Sequence, residues 1–311
     1  ANANFRHQFR LLPGPAGVYS RASCLVLLET HHMPRDALLA LATGALLERG
    51  IRNGAQEARW LLDHVAGDST SAPVPPETEA RFRALLQRRL AGEPLQYVMA
   101  STEFHGLDFS VGPGVLIPRP ETERLVDFAL ARYPGHHGIC DLCTGSGAII
   151  LALAHALPDV EPTVGIDLSP EALAYARRNR ESLGLHRVGL IEGDLFAPIP
   201  DDIQFGLVTA NPPYVSAEEY AQLPGDVADW EPRLALFAED RGLALIQRIA
   251  DSTPARLVPG GWLLCEIGCE QGEATRAILR DAGFAHVEIL QDYCQRDRVV
   301  AARRGGEGEM E

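Results

Sequence analysis

The chain contains no lysine, and all 28 of its basic residues are arginine, which we attribute to genomic base composition. Carboxylates outnumber them, and the formal net charge of the 311 residues is −14. The excess lies in residues 92–311, where 17 arginines stand against 34 acidic residues, whereas residues 33–91 are near neutral. Binding to a phosphate backbone depends on cationic contacts, so this balance argues against a nucleic-acid partner. It is compatible with a basic protein partner.

Long apolar runs are also missing. None approaches the roughly 20 residues of a membrane span, and Cys24–Leu28 is far too short. Residues 1–32 lack an apolar core followed by a small-residue cleavage site, so we predict no signal peptide and a cytoplasmic protein. We expect residues 1–32 to be a disordered or non-native extension ahead of Met33.

Six cysteines include two pairs whose spacing could suit zinc, Cys140 with Cys143 and Cys265 with Cys269. Cys140 and Cys265 lie in apolar, strand-like stretches, where a free cysteine behaves as a small buried hydrophobe. We therefore predict neither a metal site nor a disulfide.

The remaining pattern divides the chain into segments. Residues 33–91 predict a small domain of three helices, the first capped by Asp36 and the second by Asn53. Their apolar faces are predicted at Leu38, Leu39, Leu41, Leu46, Leu47, Trp60, Leu61, Leu62, Phe82, Leu85, Leu86 and Leu90. Residues 92–119 predict a β-hairpin linker, residues 120–303 a catalytic domain, and residues 304–311 a disordered tail.

Within residues 120–303, seven apolar segments alternate with helical ones. The strands are predicted near 137–142, 163–167, 187–192, 204–210, 260–267, 285–290 and 297–303. Such alternation indicates an α/β fold with a doubly wound sheet, and the short gap between the last two strands suits an antiparallel edge hairpin.

A glycine turn follows the first of these strands. Asp141 ends the strand, and Cys143, Thr144, Gly145, Ser146 and Gly147 lead into an apolar helix. Glycines let the backbone approach a ligand, and the first N–H groups of a helix attract it. Asp167 closes the next strand at the position where nucleotide-binding folds bind a ribose. The spacing is not that of a dinucleotide fingerprint, and a purely structural turn remains an alternative.

The segment Asn211-Pro212-Pro213-Tyr214 follows the strand predicted at 204–210. Two prolines remove two backbone donors and hold their carbonyls rigid, and Asn211 adds a side-chain oxygen. These groups form an acceptor cradle with an aromatic wall, which suits a planar NH₂ group. A proline-rich turn without function is the alternative.

Together with Ile117-Pro-Arg-Pro-Glu-Thr-Glu123, these motifs resemble the release-factor glutamine N5-methyltransferases, a family of class I S-adenosylmethionine-dependent methyltransferases. The resemblance covers about residues 36–303. It implies methyl transfer to the glutamine of the Gly-Gly-Gln motif in peptide-chain release factors, and a helical domain that clamps this substrate. The family's glycine turn usually begins with Gly, where this chain has Cys143.

The resemblance also implies residue roles. Asn211, Pro212 and Tyr214 are the expected catalytic residues, and with Pro213 they bind the substrate amide. Arg119, Glu121 and Thr122 are expected to border the methionine end of the cofactor. S-adenosylmethionine is expected to contact Asp141, Cys143, Thr144, Gly145, Ser146, Gly147, Asp167, Asp194, Leu195, Phe196 and Asn211. The family's Glu266-Ile-Gly268 and Gln271-Gly272 are interpreted as shaping a loop. We expect a monomer.

Two other enzymes share parts of this pattern. The sister family that methylates a ribosomal-protein glutamine often carries Cys at position 143, although Pro120-Glu-Thr-Glu123 argues against it. An adenine-N6 nucleic-acid methyltransferase uses the same cradle, but it needs a basic groove and base flipping. A degenerate, non-catalytic adaptor is a third alternative, opposed by the intact Asp141, Asp167 and Asn211.

Overall fold

The computed structural model describes residues 33–67 and 74–306. The expectations for residues 1–32 and for positions 307–311 of the tail lie outside the described residues. The chain divides into two compact units, with the boundary between Leu90 and Ala91. Among the described residues, no helix is both long enough and apolar enough to cross a membrane.

The first unit contains three helices, α1 (Arg35–Glu48), α2 (Gly54–Ala66) and α3 (Pro76–Leu90). The predicted cap at Asp36 is wrong, because Pro34 occupies the N-cap and its carbonyl accepts from Ala37 and Leu38. Asn53 does precede α2, although its side chain makes no capping hydrogen bond. Buried Glu57 and Arg89 join α2 to α3, with 2.7 Å between Oε2 and Nε.

Three residues predicted on the apolar faces of this unit point away from its core. Leu38, Leu46, Leu61, Leu62, Phe82 and Leu86 are buried as predicted. Leu41, Leu47 and Trp60 are instead exposed. Each residue of a helix is rotated by about 100° from the one before it, so three consecutive residues cannot all lie on one face. With Leu61 and Leu62 in the core, Trp60 therefore points to solvent.

The second unit begins with a helix that the hairpin prediction missed, α4 (Leu95–Met99). The hairpin itself is shorter than the linker predicted at residues 92–119 and pairs β1 (Ser101–Phe104) with β2 (Leu107–Ser110). His105 and Gly106 connect the strands with positive φ values of 51° and 73°. Two left-handed residues form the turn that matches the twist of a tight hairpin.

The rest of the unit alternates strands and helices. The helices and helical turns are α5 (Glu123–Arg132), α6 (Ala148–Ala156), α7 (Pro170–Ser182), α8 (Ala217–Tyr220), α9 (Gly225–Ala228), α10 (Arg233–Leu236), α11 (Glu239–Gly242), α12 (Ala244–Ser252) and α13 (Gly272–Asp281). The strands are β3 (Gly138–Leu142), β4 (Thr163–Asp167), β5 (Gly189–Glu192), β6 (Phe205–Ala210), β7 (Leu257–Glu266), β8 (His286–Gln291) and β9 (Asp297–Arg303). Short 3₁₀ turns occupy Pro120–Thr122 and Pro254–Arg256.

These strands form one seven-stranded sheet in the order β5-β4-β3-β6-β7-β9-β8. β3 to β7 are parallel, and β9 pairs antiparallel with both β7 and β8. The doubly wound sheet and its antiparallel edge are therefore confirmed. Every residue of β3 and β6 is buried, which explains why these strands are continuous apolar runs.

Candidate active site

In the sheet, β4 is the neighbour of β3 on one side and β6 is its neighbour on the other, so the strand order reverses at β3. Ligands of open α/β sheets bind at the carboxyl ends of strands where the order reverses in this way. β3 and β6 are adjacent, with Leu142 opposite Ala210. The glycine turn and Asn211 therefore emerge side by side at this edge.

The turn after β3 contains three left-handed residues. Cys143 and Gly145 both have φ 57°, and Gly147, the N-cap of α6, has φ 81°. A side chain at such an angle costs about 1–2 kcal/mol, so position 143 is one that favours glycine. Burial and the neighbouring carboxylates of Asp167 and Asp141 raise the pKa of the Cys143 thiol.

Asp141 holds this turn from beneath. Its carboxylate accepts hydrogen bonds from the hydroxyls of Thr144, at 2.6 Å, and of Thr209 on β6, at 2.7 Å. Complete burial raises the pKa of Asp141 to about 7, although both hydroxyls oppose the shift. Asp141 thus joins β3, the turn and β6 from inside the protein.

Asp167 supports the turn from the next strand. Its Oδ2 accepts from the Gly145 N–H at 2.7 Å, and its Oδ1 accepts from the Ser169 N–H at 2.8 Å. Burial raises the pKa of Asp167, and these N–H groups oppose the shift. Each carboxylate oxygen has two lone pairs, so Asp167 keeps acceptor capacity for a ligand.

A cavity of about 260 Å³ lies above these strand ends. Nine of the predicted site residues line it: Cys143, Thr144, Gly145, Ser146, Asp167, Asp194, Leu195, Asn211 and Pro213. Thr122 lines it as well, and its walls are largely apolar, including Leu116, Ile149, Leu168, Leu234 and Leu245. Carboxylates at one side, a glycine turn that lets a ligand approach the backbone, and apolar walls suit a ligand with a ribose and a flat heterocycle.

Other predicted residues lie behind this cavity. Asp141 and Phe196 are buried in the core, and neither they nor Gly147 and Pro212 line the cavity. Glu121 is exposed. These residues shape the site from beneath or beside it.

A second, smaller cavity of about 40 Å³ adjoins the first. Asn211 lines both, and Arg119, Tyr214 and Glu266 line the smaller one. Asn211 Nδ2 donates to the hydroxyl of Thr122 at 3.4 Å. Among the described residues nothing donates to Asn211 Oδ1 or to the carbonyl of buried Pro212, and Asn211 Oδ1 belongs to a residue that lines both cavities.

One residue that lines the smaller cavity, Glu266, is a buried acid. Tyr214 donates its hydroxyl to Glu266 Oε1 at 3.1 Å, and Glu266 is 1% exposed. Burial and the charge of Glu266 raise the pKa of Tyr214, which stays a neutral phenol. Burial also raises the pKa of Glu266, whereas the Thr122 hydroxyl, the Arg298 charge and the Tyr214 hydroxyl lower it.

Two residues of the site, Glu231 and Arg248, were not predicted from the sequence. Buried Glu231 accepts from the Ile117 N–H at 3.0 Å and from Arg119, and so joins the segment 117–119 to the segment before α10. Arg248 on α12 lines the larger cavity and pairs with Asp194 at 2.7 Å. Glu231 was missed because it is a single acidic residue among short turns and belongs to no motif. Arg248 was missed because it lies in an amphipathic helix, where an arginine is ordinary.

The metal pairs suggested by cysteine spacing do not converge. In residues 33–67 and 74–306, no three His, Cys, Asp or Glu side chains are placed to hold a metal ion. Cys140 and Cys265 are buried in their strands, and Cys269 is exposed.

The strand order, the glycine turn and the acidic strand ends define a class I S-adenosylmethionine-dependent methyltransferase. A methyltransferase domain model matches residues 136–241, and a PrmC N-terminal domain model matches residues 37–99. The catalytic domain of hMettl16, solved in complex with MAT2A 3′UTR hairpin 6, shares the fold at a TM-score of 0.51 and 17% identity. It covers 74% of this chain and 82% of its own.

Two relatives define the family more narrowly. The release factor glutamine methyltransferase of Vibrio cholerae serotype O1 is 42% identical over 282 residues, which span 88% of this chain and 98% of the relative. The release factor glutamine methyltransferase of Geobacter sulfurreducens is 41% identical, over 84% and 94% respectively. The chain belongs to the release factor glutamine methyltransferase family.

Proposed function

We propose that this protein transfers a methyl group from S-adenosylmethionine to the side-chain amide nitrogen of a glutamine, the one in the Gly-Gly-Gln motif of peptide-chain release factors. The observation that carries the proposal is the position of Asn211. It lies between the two cavities, and its Oδ1 is unpaired among the described residues. Relatives of this name that match nearly their whole length supply the substrate.

The larger cavity fits the cofactor. The turn residues Cys143 to Ser146 line it, and Asp167 retains acceptor capacity for ribose hydroxyls. Asp194 and Leu195 are the residues for the adenine, with Phe196 packed behind them and Asp141 fixing the turn. When bound, S-adenosylmethionine supplies an electrophilic methyl group on a sulfonium.

The smaller cavity fits the glutamine amide. An amide nitrogen is a weak nucleophile, because its lone pair is delocalised into the carbonyl. Asn211 Oδ1 and the Pro212 carbonyl accept its two N–H bonds, which turns lone-pair density towards the larger cavity. The same acceptors stabilise positive charge that develops on the nitrogen. Tyr214 packs on the amide plane, and the product loses its proton after transfer without a dedicated base.

The charge of the chain supports a release factor as the protein partner, in addition to the acceptor cradle. Residues 92–311 are strongly acidic, which complements the basic, RNA-facing domain expected of a release factor. A glycine-flanked glutamine can enter a narrow cavity without backbone clashes. The helices of residues 33–91 serve as the substrate clamp. A monomer that acts in the cytoplasm, where release factors work, completes the proposal.

Two substitutions test these roles. Asn211→Ala removes the acceptor for the substrate amide and leaves Asp167 and the glycine turn in place, so we expect turnover to fall about a hundredfold or more while cofactor affinity is retained. Asp167→Ala removes the acceptor at the ribose side, so we expect cofactor affinity to fall about tenfold or more. Calorimetric titration with cofactor, alongside methylation rates, separates the two. An equal loss of cofactor binding in both variants contradicts this division of roles.

A further inference from the structure

Arg119 lies in the wall of the smaller cavity, between two prolines. The resemblance to the family places it at the methionine end of the cofactor, whereas in the structure it lines the smaller cavity, beside Asn211, and not the larger one. Pro118 precedes Arg119 and Pro120 follows it, and a residue before proline is restricted to extended backbone. Arg119 accordingly has φ −96° and ψ 144°. Its position in the cavity wall is therefore set by the backbone on both sides.

Glu231 holds the guanidinium of Arg119. The Glu231 side chain is 1% exposed, and its two oxygens have separate partners. Oε2 accepts from the Ile117 N–H at 3.0 Å, and Oε1 accepts from Arg119 Nη2. A buried carboxylate needs a paired charge, and Arg119 supplies it. The ion pair has no net charge, and it joins the guanidinium to the cavity wall.

Arg119 keeps donors that no protein group uses. A guanidinium has five N–H donors and no acceptor. Among the described residues, Glu231 alone receives a side-chain hydrogen bond from Arg119, through Nη2. The Arg119 side chain is 33% exposed, so a ligand can reach it. Arg119 therefore offers hydrogen bonds to a ligand that accepts them.

A glycine-flanked glutamine has such acceptors. When its amide lies at Asn211, its main chain stays at the mouth of the smaller cavity. The neighbouring glycines have no side chains, so their only polar groups are main-chain N–H and carbonyl groups. A carbonyl that loses water at the enzyme surface costs about 1–3 kcal/mol if it finds no donor. Arg119 supplies that donor beside Asn211, and Glu231 offsets the charge that would otherwise attract a glutamate.

We propose that Arg119 is a substrate-binding residue that donates to a main-chain carbonyl of the glycine-flanked loop, and that Glu231 is the positioning residue that holds its guanidinium there. This inference rests on the proposed function, since it names a further contact for the same substrate. The contact is to the main chain and not to the reacting amide. It therefore contributes to substrate affinity and little to the chemical step.

Three variants test the inference. Glu231→Gln keeps an acceptor for the Ile117 N–H and removes the charge that holds Arg119. Arg119→Met combined with Glu231→Gln removes the guanidinium without leaving a buried charge unpaired. Arg132→Met combined with Glu288→Gln is the matched control, because this ion pair of 2.8 Å joins α5 to β8 and lines neither cavity.

The readouts are the affinity for a release factor, measured by calorimetry with S-adenosylhomocysteine present, and the KM and kcat of its methylation. We expect Arg119→Met with Glu231→Gln to weaken release-factor binding at least about tenfold, a loss of about 1.4 kcal/mol. KM should rise by a similar factor while kcat changes less than about threefold, the pattern of a lost binding contact. Affinity for S-adenosylhomocysteine should be retained. Glu231→Gln alone should give a smaller loss of the same kind, and the control pair should behave as the unaltered enzyme does.

Other results overturn the inference. One is an unchanged release-factor affinity in the double variant at Arg119 and Glu231 while the unaltered enzyme is active. Another is a fall in kcat with KM unchanged, because Arg119 would then act on the chemical step. An equal loss of cofactor affinity also overturns it, because the pair would then support the larger cavity, which Pro118 lines. Glu231→Gln that binds and methylates as the unaltered enzyme does removes the positioning role of Glu231.

Failure of the proposed function has a different signature. If the unaltered enzyme neither binds nor methylates a release factor, the proposed function fails, and this inference falls with it. An unaltered enzyme that methylates the release factor, beside variants that bind it equally well, contradicts the inference alone.

Discussion

Cys143 occupies a position where the backbone favours glycine, with φ 57° at the start of the cofactor turn. Replacing it by glycine removes a left-handed Cβ worth about 1–2 kcal/mol, which the greater freedom of an unfolded glycine partly offsets. We predict that Cys143→Gly raises the free energy of unfolding by about 1 kcal/mol, measured by chemical denaturation.

Cys143→Ala is the matched control, since it removes the thiol and keeps the Cβ at the same φ. The alanine variant should be no more stable than the unaltered protein. Equal stabilisation by both substitutions would show that the thiol, and not the backbone angle, is the source of the strain.

At the scale of single residues, the sequence predicts site residues that are adjacent in the chain, but not those that only the fold brings together. The cradle of Asn211 to Tyr214 was readable because adjacent prolines and an asparagine express their chemistry within four positions. The supports of this cradle were not readable. Glu266 lies 52 positions from Tyr214 and Glu231 lies 114 positions from Ile117, so only the fold brings each pair together. Glu266 was interpreted as loop-shaping, whereas in the structure it lines the smaller cavity and accepts from Tyr214.

At the scale of elements, the turn α11 (Glu239–Gly242) is a second support for the cradle, and most of its backbone is not helical. Asp240, Arg241 and Gly242 are consecutive left-handed residues, with φ 50°, 55° and 82°. Gln271 Nε2 ties this segment to the cradle, because it donates to the carbonyls of Tyr214, at 2.9 Å, and Arg241, at 3.0 Å. A Cβ at Gly242 would lie 1.9 Å from the Tyr214 carbonyl oxygen, so only glycine fits.

We predict that Gly242→Ala displaces the Tyr214 backbone and lowers methylation at least about tenfold while cofactor affinity is retained. Gly184→Ala is the control, because Gly184 has a similar φ of 68° but open space around it. Methylation rates and calorimetric titration of both variants decide the matter. If the two alanine variants lose activity equally, the backbone angle matters and the contact with Tyr214 does not.

Element boundaries were predictable where one rule dominated. The strands β3, β4 and β6 followed from short apolar runs, which are bounded by the turn from Cys143 to Gly147, by Asp167 and by Asn211-Pro212. The linker was harder, because Leu95–Met99 is too short to show a helical period and lies beside a true hairpin. Capping by Asp36 failed for a similar reason, since Pro34 sets the entry to α1 by its fixed φ.

At the scale of the whole molecule, the prediction of family and fold is confirmed by the sheet and by the relatives. Several independent motifs occurred in the right order, and this made the prediction specific. Charge added a separate argument, because the acidic residues 92–311 are a poor match for nucleic acid and a good one for a basic protein. Composition alone indicated no reaction.

Mass spectrometry of a release factor incubated with this enzyme and S-adenosylmethionine tests the central claim most directly. We predict that the peptide containing the Gly-Gly-Gln motif gains one methyl group, localised by fragmentation to the glutamine side chain. The same factor with Gln→Glu should gain none, nor should a ribosomal protein or an adenine-containing DNA duplex. An unmodified release factor beside a methylated ribosomal protein or adenine would contradict the account.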